Sequence, residues 1–215
     1  MLALDAVKVN IRSLKILRQV SLKVAPGQVV GLVGRNGAGK TTTIKSVVGL
    51  MNVAAGTIQF NGGDLLDVPT HGRAALGIGY LPEDRRMLAM STEENILLPA
   101  WASRLPDASA RLELIYSHMP EVKAFAKRSA TQLSGGQQKL TALARALMSG
   151  TRLLLLDEPF EGLAPAMSHK VSQVIQAFQR QGVSALVAES DLKLIQHLTQ
   201  RVYTIERGQI VSETD

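Results

Sequence analysis

Three glycines and a lysine lie between an apolar run, residues 29–33, and an amphipathic run, residues 41–48. Glycine lets the backbone turn sharply and bring bare N–H groups close to an anion, and a helix beginning there adds its positive end. The lysine supplies a mobile charge, and the following threonine hydroxyl can ligate Mg²⁺. The spacing Gly-x4-Gly-Lys-Thr predicts a polyphosphate-binding loop; an ordinary glycine-rich turn is the alternative. The loop residues are Gly34, Arg35, Asn36, Gly37, Ala38, Gly39, Lys40, Thr41 and Thr42.

Two acids, Asp157 and Glu158, follow four consecutive leucines at residues 153–156. Such a run predicts a strand buried on both faces, and the carboxyl end of a core strand lies beside the phosphate loop in this type of sheet. We therefore expect Asp157 to hold Mg²⁺ and Glu158 to orient the water that attacks the terminal phosphate. The alternative is structural, a helix cap or a salt bridge after a strand.

A second candidate anion site opens the helix whose apolar stripe runs through Leu140, Leu143 and Leu147. Its residues, Ser134, Gly135, Gly136 and Gln137, combine a serine with bare backbone at a helix start. The site is far from the phosphate loop in sequence, so we expect it to serve a different phosphate. The alternative is an ordinary helix cap at Ser134.

The composition bounds the surroundings of these residues. The 215 residues are 46% hydrophobic and 4% aromatic, which fits one domain with an aliphatic core. Cysteine is absent, so disulfides and thiolate metal sites are excluded. The charges, +6 in total, are scattered, which favours a solvated surface over a nucleic-acid partner. No apolar run reaches the ~20 residues of a membrane span and no signal peptide is visible, so we expect a soluble cytoplasmic chain.

The remaining segments predict the elements that position the candidate site. Strands are predicted at residues 2–9, 16–24, 57–60, 77–81 and 183–188. Residues 91–127 are predicted to be helical, with breaks at Pro99, Pro106 and Pro120. Further helices are predicted at residues 165–181 and 191–200, followed by a terminal hairpin around Arg207 and Gly208.

The three motifs, in this order, resemble those of the nucleotide-binding subunits of ABC transporters, and the resemblance covers essentially the whole chain. It implies an α/β fold: a P-loop NTPase core with a mainly parallel sheet, a small N-terminal antiparallel β layer and an inserted α-helical subdomain. The chain would form a single domain, residues 1–215. Its core would comprise about residues 1–90 and 151–215, and the helical subdomain about residues 91–150.

The same resemblance implies ATP hydrolysis, with ATP and Mg²⁺ as cofactors and a second ABC ATPase subunit as partner. In this family two subunits face head to tail, and ATP lies between the P-loop of one and the Ser-Gly-Gly motif of the other. Ser134, Gly135, Gly136 and Gln137 would then contact ATP bound to the partner. ATP binding would close the dimer, and hydrolysis would reopen it.

A finer resemblance is to the smaller ATPase of branched-chain amino-acid importers and of related importers for urea and amides. It rests on residues 77–86, on Glu94-Asn95 and on residues 157–165. It implies transmembrane permease subunits, a periplasmic solute-binding protein and a place on the cytoplasmic face of the inner membrane. The loop at residues 82–90, with Arg85, Arg86 and Met87, would meet the permease; a solvated loop with its methionines in the core is the alternative.

Three positions depart from the general ABC pattern. Ile11 stands near the expected adenine-stacking aromatic and offers no π-face. Glu83 occupies the Q-loop glutamine position, where it can reach Mg²⁺ or water; the amino-acid importer group shares this departure. Ser190 replaces the switch histidine and cannot carry a positive charge, so its function is either catalytic or that of a cap for the helix from Asp191.

The same residues are compatible with two other functions. The missing histidine is compatible with a catalytically weak, nucleotide-sensing subunit of a heterodimer. A soluble, non-transport ABC ATPase is the other alternative, although such proteins usually carry tandem cassettes or coiled-coil insertions.

Overall fold

The computed structural model describes residues 1–214, which form a ten-stranded sheet with helices on both faces. The strands are β1 (Leu2–Ile11), β2 (Leu14–Val24), β3 (Val29–Val33), β4 (Ala55–Phe60), β5 (Gly63–Asp64), β6 (Ile78–Leu81), β7 (Leu153–Asp157), β8 (Ser184–Glu189), β9 (Arg201–Glu206) and β10 (Gln209–Thr214). The α-helices are α1 (Lys40–Val48), α2 (Thr70–Arg73), α3 (Thr92–Ser103), α4 (Ala108–His118), α5 (Pro120–Ala124), α6 (Gly135–Ser149) and α7 (Pro165–Arg180).

The sheet has the order β5-β4-β1-β2-β10-β9-β3-β8-β7-β6. Strands β9, β3, β8, β7 and β6 are mutually parallel, whereas β5, β4, β1 and β2 pair in an antiparallel layer. The two parts join where β2 pairs in parallel with β10. The predicted α/β fold, with a parallel core and an N-terminal antiparallel layer, is confirmed.

Alternate residues of the central strands serve two separate cores. Leu154 and Leu156 of β7 pack with helices α3 to α7, whereas Leu153 and Leu155 pack with α1 and the antiparallel layer. Side chains of a strand alternate between faces, so a run of leucines can be buried only where both faces are covered. The buried strand predicted from the four leucines is therefore confirmed.

The helical segment between β6 and β7 differs from its prediction at Pro99. The ring lies inside α3, and the helix continues to Ser103 rather than breaking. Proline removes one backbone donor, but Ile96 and Ala100 on either side are buried against the core. Tertiary packing outweighs the lost hydrogen bond, whereas Pro120 does begin a new helix, α5.

The helix predicted at residues 191–200 is wrong. A 3₁₀ turn at Leu192–Leu194 is followed by further turns in which the amides of Ile195 and Leu198 bond to carbonyls three residues back. Both of these side chains are buried. The turns place both side chains in the core just before the chain enters β9.

Candidate functional site

The phosphate loop connects β3 to α1 and depends on two glycines. Gly39 has φ +116° at the helix start, a conformation that a side chain would strain. A Cβ atom on Gly34 would lie 2.3 Å from the carbonyl oxygen of Ile205. The loop can therefore hold its tight path against β9 only with glycine at these positions.

Lys40 is the first residue of α1, and its side chain is buried in the loop. Its Nζ donates a hydrogen bond to the carbonyl oxygen of Gly34 at 2.8 Å. The same ammonium lies 3.0 Å from Oε1 of Glu158. The loop after β7 thus places an acid directly against the lysine of the phosphate loop.

Thr41 and Asp157 form a pair suited to a hard cation. The Thr41 hydroxyl donates to Oδ1 of Asp157 at 3.1 Å, and Oδ2 of Asp157 is buried with no partner among the described residues. Within residues 1–214, no three acidic or histidine side chains converge as a metal site. Mg²⁺ typically takes few protein ligands and keeps water and phosphate oxygens, so this oxygen set fits it.

Burial has a direct electrostatic effect on Asp157. Removal from water raises the pKa of its carboxyl to about 6; the Thr41 hydrogen bond opposes this rise, and the nearby charges of Glu83 and Glu158 add to it. A divalent cation at Oδ2 would compensate the same desolvation. The unpartnered oxygen and the raised pKa are consistent with a cation-binding position.

Glu158 adopts a left-handed backbone conformation, with φ +49°, that aims its carboxylate at the phosphate loop. Its Oε2 accepts hydrogen bonds from the amide and the hydroxyl of Ser190, each at 3.3 Å. Burial raises the pKa of Glu158, but the neighbouring Glu189 carboxyl, the Lys40 ammonium and its charge outweigh it, so the net pKa lies below its usual range. Glu158 is therefore ionised at neutral pH.

Glu189 shares this buried acidic cluster. Burial, followed by the neighbouring Glu158 carboxyl, raises the pKa of Glu189, and its Oε1 accepts from the amide of Phe160 at 2.9 Å. Its Oε2 is buried without a hydrogen-bond partner among residues 1–214, and a protonated Glu189 avoids placing two negative charges side by side. Sequence reasoning did not single out Glu189, because it is a single acid outside the three recognised motifs.

Ser190 is not a helix cap. The carboxylate of Asp191 caps the following 3₁₀ turn by accepting from the amide of Lys193, so that alternative is wrong. The Ser190 hydroxyl instead contacts Glu158. It can orient this carboxylate but adds no positive charge.

A cavity of about 370 Å³ lies over the phosphate loop. Ile11 and Ile16 form its apolar wall, and Lys40, Glu83 and Glu158 are at its polar end. Glu83 also lines an adjoining cavity with Asp157. The arrangement can hold a flat apolar group against the two isoleucines while the polyphosphate lies on the loop.

The residues Ser134–Gln137 begin α6 and do not line the described cavities over the phosphate loop. Ser134 accepts from the amide of Gln137, whose side chain accepts from the amide of Ser134, so the predicted helix cap is present. Ser134 and Gly135 are nonetheless exposed. An anion on a neighbouring molecule can reach them.

A second residue close to Glu158 was missed by sequence reasoning. Lys139, in the second turn of α6, is buried, and its Nζ donates to the carbonyl oxygen of Glu158. Its spacing from Ala142, Leu143 and Ala146 places it on the apolar face of the helix. The signal in the sequence was a charged residue at a position of the helix where the pattern predicts an apolar one.

Comparison with known proteins agrees with this geometry. The family model of ABC transporters matches residues 17–161. The branched-chain amino acid transport ATP-binding protein BraG of Pseudomonas aeruginosa is 33% identical over 98% of this chain and 91% of its own length. The lipopolysaccharide export ATP-binding protein LptB of Acidithiobacillus ferridurans is 34% identical over 92% of this chain and 83% of its own.

The fold agrees as well. A solved structure of an ATP-binding subunit of an ABC transporter superposes with a TM-score of 0.89 and 25% identity, covering 100% of this chain and 89% of that one. No helix within residues 1–214 is long and apolar enough to cross a membrane. The phosphate loop, the acids after β7 and the matches along nearly the whole chain show that this protein belongs to the ABC transporter ATP-binding family and is an ATPase subunit coupled to transport.

Proposed function

We propose that this chain binds Mg–ATP at the phosphate loop and powers an importer of small polar solutes, most closely the branched-chain amino-acid type. The convergence of Lys40, Thr41, Asp157 and Glu158 is the observation that carries the nucleotide site. The importer type rests on the similarity to BraG over almost its whole length. The finer motif resemblance at residues 77–86 and 157–165 points the same way.

Each residue of the site has a proposed function in hydrolysis. The backbone of residues 34–42 and the ammonium of Lys40 bind the β- and γ-phosphates. Thr41 and Asp157 hold Mg²⁺, which when bound neutralises phosphate charge, and Glu83 lies near enough to join them. The ionised carboxylate of Glu158 accepts a proton from the attacking water, and Ser190 orients that carboxylate.

Bound phosphate and Glu158 compete for one ammonium. Lys40 contacts Oε1 of Glu158 directly, so phosphate oxygens must replace this partner. Released from Lys40, the Glu158 carboxylate keeps its hydrogen bonds from Ser190 and becomes available to water. Nucleotide binding would therefore release the general base, Glu158, from its ion pair with Lys40.

The base site is proposed to lie against Ile11 and Ile16. Aliphatic side chains exclude water from the adenine but lack the π-face of an aromatic residue. Most of the affinity would then come from the triphosphate. The proposed affinity for the base is correspondingly weak.

A second ATPase subunit is the proposed partner at α6. Ser134 and Gly135 are exposed and do not line the cavity over the phosphate loop of their own chain, so they can receive a phosphate held by the partner. Ser134, Gly135, Gly136 and Gln137 are the proposed contacts in trans. The helical subdomain, about residues 91–150, would carry these contacts as the dimer closes.

Permease subunits are the proposed partners at the loop after β6, on the cytoplasmic face of the inner membrane. Leu88 and Arg86 are exposed there, whereas Met87 packs against the core. An exposed leucine beside an exposed arginine suits contact with a short amphipathic helix of the permease. A periplasmic solute-binding protein would act indirectly, through the permease.

Two further functions are each favoured by an observation. The similarity to LptB favours an exporter-type subunit. Ser190 in place of a histidine favours a subunit that senses nucleotide and hydrolyses it slowly. Both alternatives use the same nucleotide site. The exporter would differ from the proposed function in its membrane partner, and the sensing subunit would differ in its rate of hydrolysis.

The test uses the chain purified with its membrane partners. Glu158→Gln should reduce Mg–ATP hydrolysis at least ~100-fold, because the general base is lost. The matched control is Glu113→Gln, which changes an exposed acid of α4 that pairs with Lys123 of α5, and it should hydrolyse like the wild type. Equal rates for the two variants would contradict the proposed site, and a wild-type kcat far below the usual range of about 1 per second or more would favour the sensing subunit.

The transported solute needs a separate measurement. Cells lacking this chain should lose uptake of radiolabelled leucine, isoleucine and valine, and the intact gene should restore it. Normal uptake together with depleted surface lipopolysaccharide would instead assign the chain to an exporter.

A further inference from the structure

A buried lysine lies beneath the proposed site and is not used by the mechanism above. The side chain of Lys139 is 1% exposed, and a fully buried ammonium is costly unless the protein supplies partners. Burial lowers its pKa and so does the charge of Arg85, whereas Glu161, Glu189 and Glu158 raise it. A methionine could fill the same space without this desolvation, so packing alone does not account for an amine here.

The amine donates to a backbone atom. Its Nζ bonds to the carbonyl oxygen of Glu158, which also accepts the amide of Glu161 at 3.3 Å. The amide of Glu158 donates to the carbonyl of Ala188 at 2.9 Å. The backbone of Glu158 is thus held at two atoms. Its amide is bonded to Ala188, and its carbonyl oxygen is bonded to Lys139 and Glu161.

The backbone that Lys139 holds is strained. Glu158 has φ +49°, in the left-handed region where the Cβ atom of a non-glycine residue meets steric strain. Its Oε1 reaches Lys40 at 3.0 Å in this conformation. A relaxed φ would swing the carboxylate away from the phosphate loop, so a donor that pins the carbonyl also aims the side chain.

We propose that Lys139 is a positioning residue that holds Glu158 in its strained turn and ties it to the helix beginning at Ser134. The importance of Glu158 in hydrolysis rests on the proposed function; the pinning of its backbone does not. α6 carries Lys139 one turn after the residues proposed to bind the partner's nucleotide. A shift of α6 upon that binding would therefore reach Glu158 of the same chain through a single hydrogen bond.

Arg85 strengthens the link between the same two segments. Its guanidinium lies 3.5 Å from the carbonyl oxygen of Gly135, where α6 begins, and 3.4 Å from that of Glu161 in the loop after β7. Two cationic side chains thus connect the start of α6 to residues 158–161. Only Lys139 of the two is buried and bonded to Glu158 itself.

The test compares Lys139→Met, Lys139→Gln and the control Gln138→Met, measured on the complete complex and on the chain alone. Methionine keeps the volume of the lysine and loses the donor, so the protein should fold. Glutamine restores a donor without charge. Gln138 is adjacent on α6 and half-buried, and it makes no side-chain hydrogen bond within residues 1–214.

Lys139→Met should increase hydrogen exchange of the Glu161 amide about tenfold, while exchange in residues 34–42 stays unchanged. Its Mg–ATP affinity should remain within about twofold, and its kcat should fall at least about tenfold, because a misplaced base costs rate rather than binding. Lys139→Gln should recover most of kcat. Gln138→Met should match the wild type in every readout.

Two outcomes would overturn the inference. One is wild-type exchange at Glu161 in Lys139→Met. The other is a parallel loss of thermal stability, nucleotide affinity and kcat in both lysine variants, which is the mark of a purely structural lysine. If the wild-type complex does not hydrolyse ATP, the proposed function fails. Hydrogen exchange at Glu161 then still tests whether Lys139 holds the backbone of Glu158.

Discussion

The ammonium of Lys40 lies 3.0 Å from Oε1 of Glu158, and both side chains are buried. These two residues come from loops at the ends of β3 and β7, with β8 between them in the sheet. The lysine of the phosphate loop and the acid that follows a buried strand thus neutralise each other's charge. A buried ion pair of this kind makes the removal of either partner costly.

The first prediction concerns this ion pair. Glu158→Gln leaves Lys40 without its carboxylate, so the unfolding free energy measured without nucleotide should fall by ~1–3 kcal/mol. Phosphate then no longer competes with Glu158, and Mg–ATP should raise the melting temperature more than it does in the wild type. Differential scanning fluorimetry with and without Mg–ATP measures both effects. A smaller nucleotide-induced shift than in the wild type would show that the two do not compete.

The second prediction concerns the pH dependence of stability through Asp157. Burial raises its pKa from 3.8 to about 6. The native state therefore binds more protons than the unfolded state in this window, and stability is lost as the pH rises through it. Asp157→Asn removes the titration, so its advantage over the wild type should grow from pH 4 to pH 6 by on the order of 2–3 kcal/mol and then stay level.

Chemical denaturation in EDTA at several pH values checks this behaviour. Asp157→Asn should also lose the effect of Mg²⁺ on nucleotide affinity, because the amide is a poor ligand. A constant difference between variant and wild type from pH 4 to pH 8 would rule out the raised pKa.

The third prediction concerns the base pocket. Ile11→Tyr should tighten Mg–ATP binding about tenfold, since ring stacking adds ~1 kcal/mol or more. Leu14→Tyr is the matched control, because Leu14 pairs with Ile11 across the hairpin but does not line the cavity. Titration calorimetry with ATP and with inorganic tripolyphosphate separates the contribution of the base. Equal gains with both ligands would place the adenine elsewhere.

The fourth prediction concerns a buried arginine behind α1. Arg73 donates to the carbonyls of Ser46 and Val47 at the end of α1, and also to those of Leu65 and Val68. Arg73→Lys lacks the planar guanidinium that donates these hydrogen bonds. The substitution should lower the unfolding free energy by ~2–4 kcal/mol. Arg180→Lys, an exposed arginine at the end of α7, should cost almost nothing. Urea denaturation compares the two.

The sequence by itself determined the local parts of the site. The phosphate loop, the buried leucine strand with its two acids and the cap at Ser134 each depend on neighbouring residues, so spacing and residue type were enough to predict them. Local signals failed where tertiary packing overrode them. Pro99 stays inside α3 because buried neighbours hold it, and residues 191–200 form a series of tight turns whose buried side chains, Ile195 and Leu198, belong to the core.

Only the tertiary structure decided how the parts meet. The sequence predicted Lys40, Glu158 and Ser190 separately, but the hydrogen bonds among them join three strand ends that are remote in the chain. The attachment of Lys139 to the carbonyl of Glu158 depends on how α6 packs beside β7, and no local pattern encodes that distance. The physical reason is general: hydrogen bonds and ion pairs act over a few ångströms, so they are set by packing rather than by separation along the sequence.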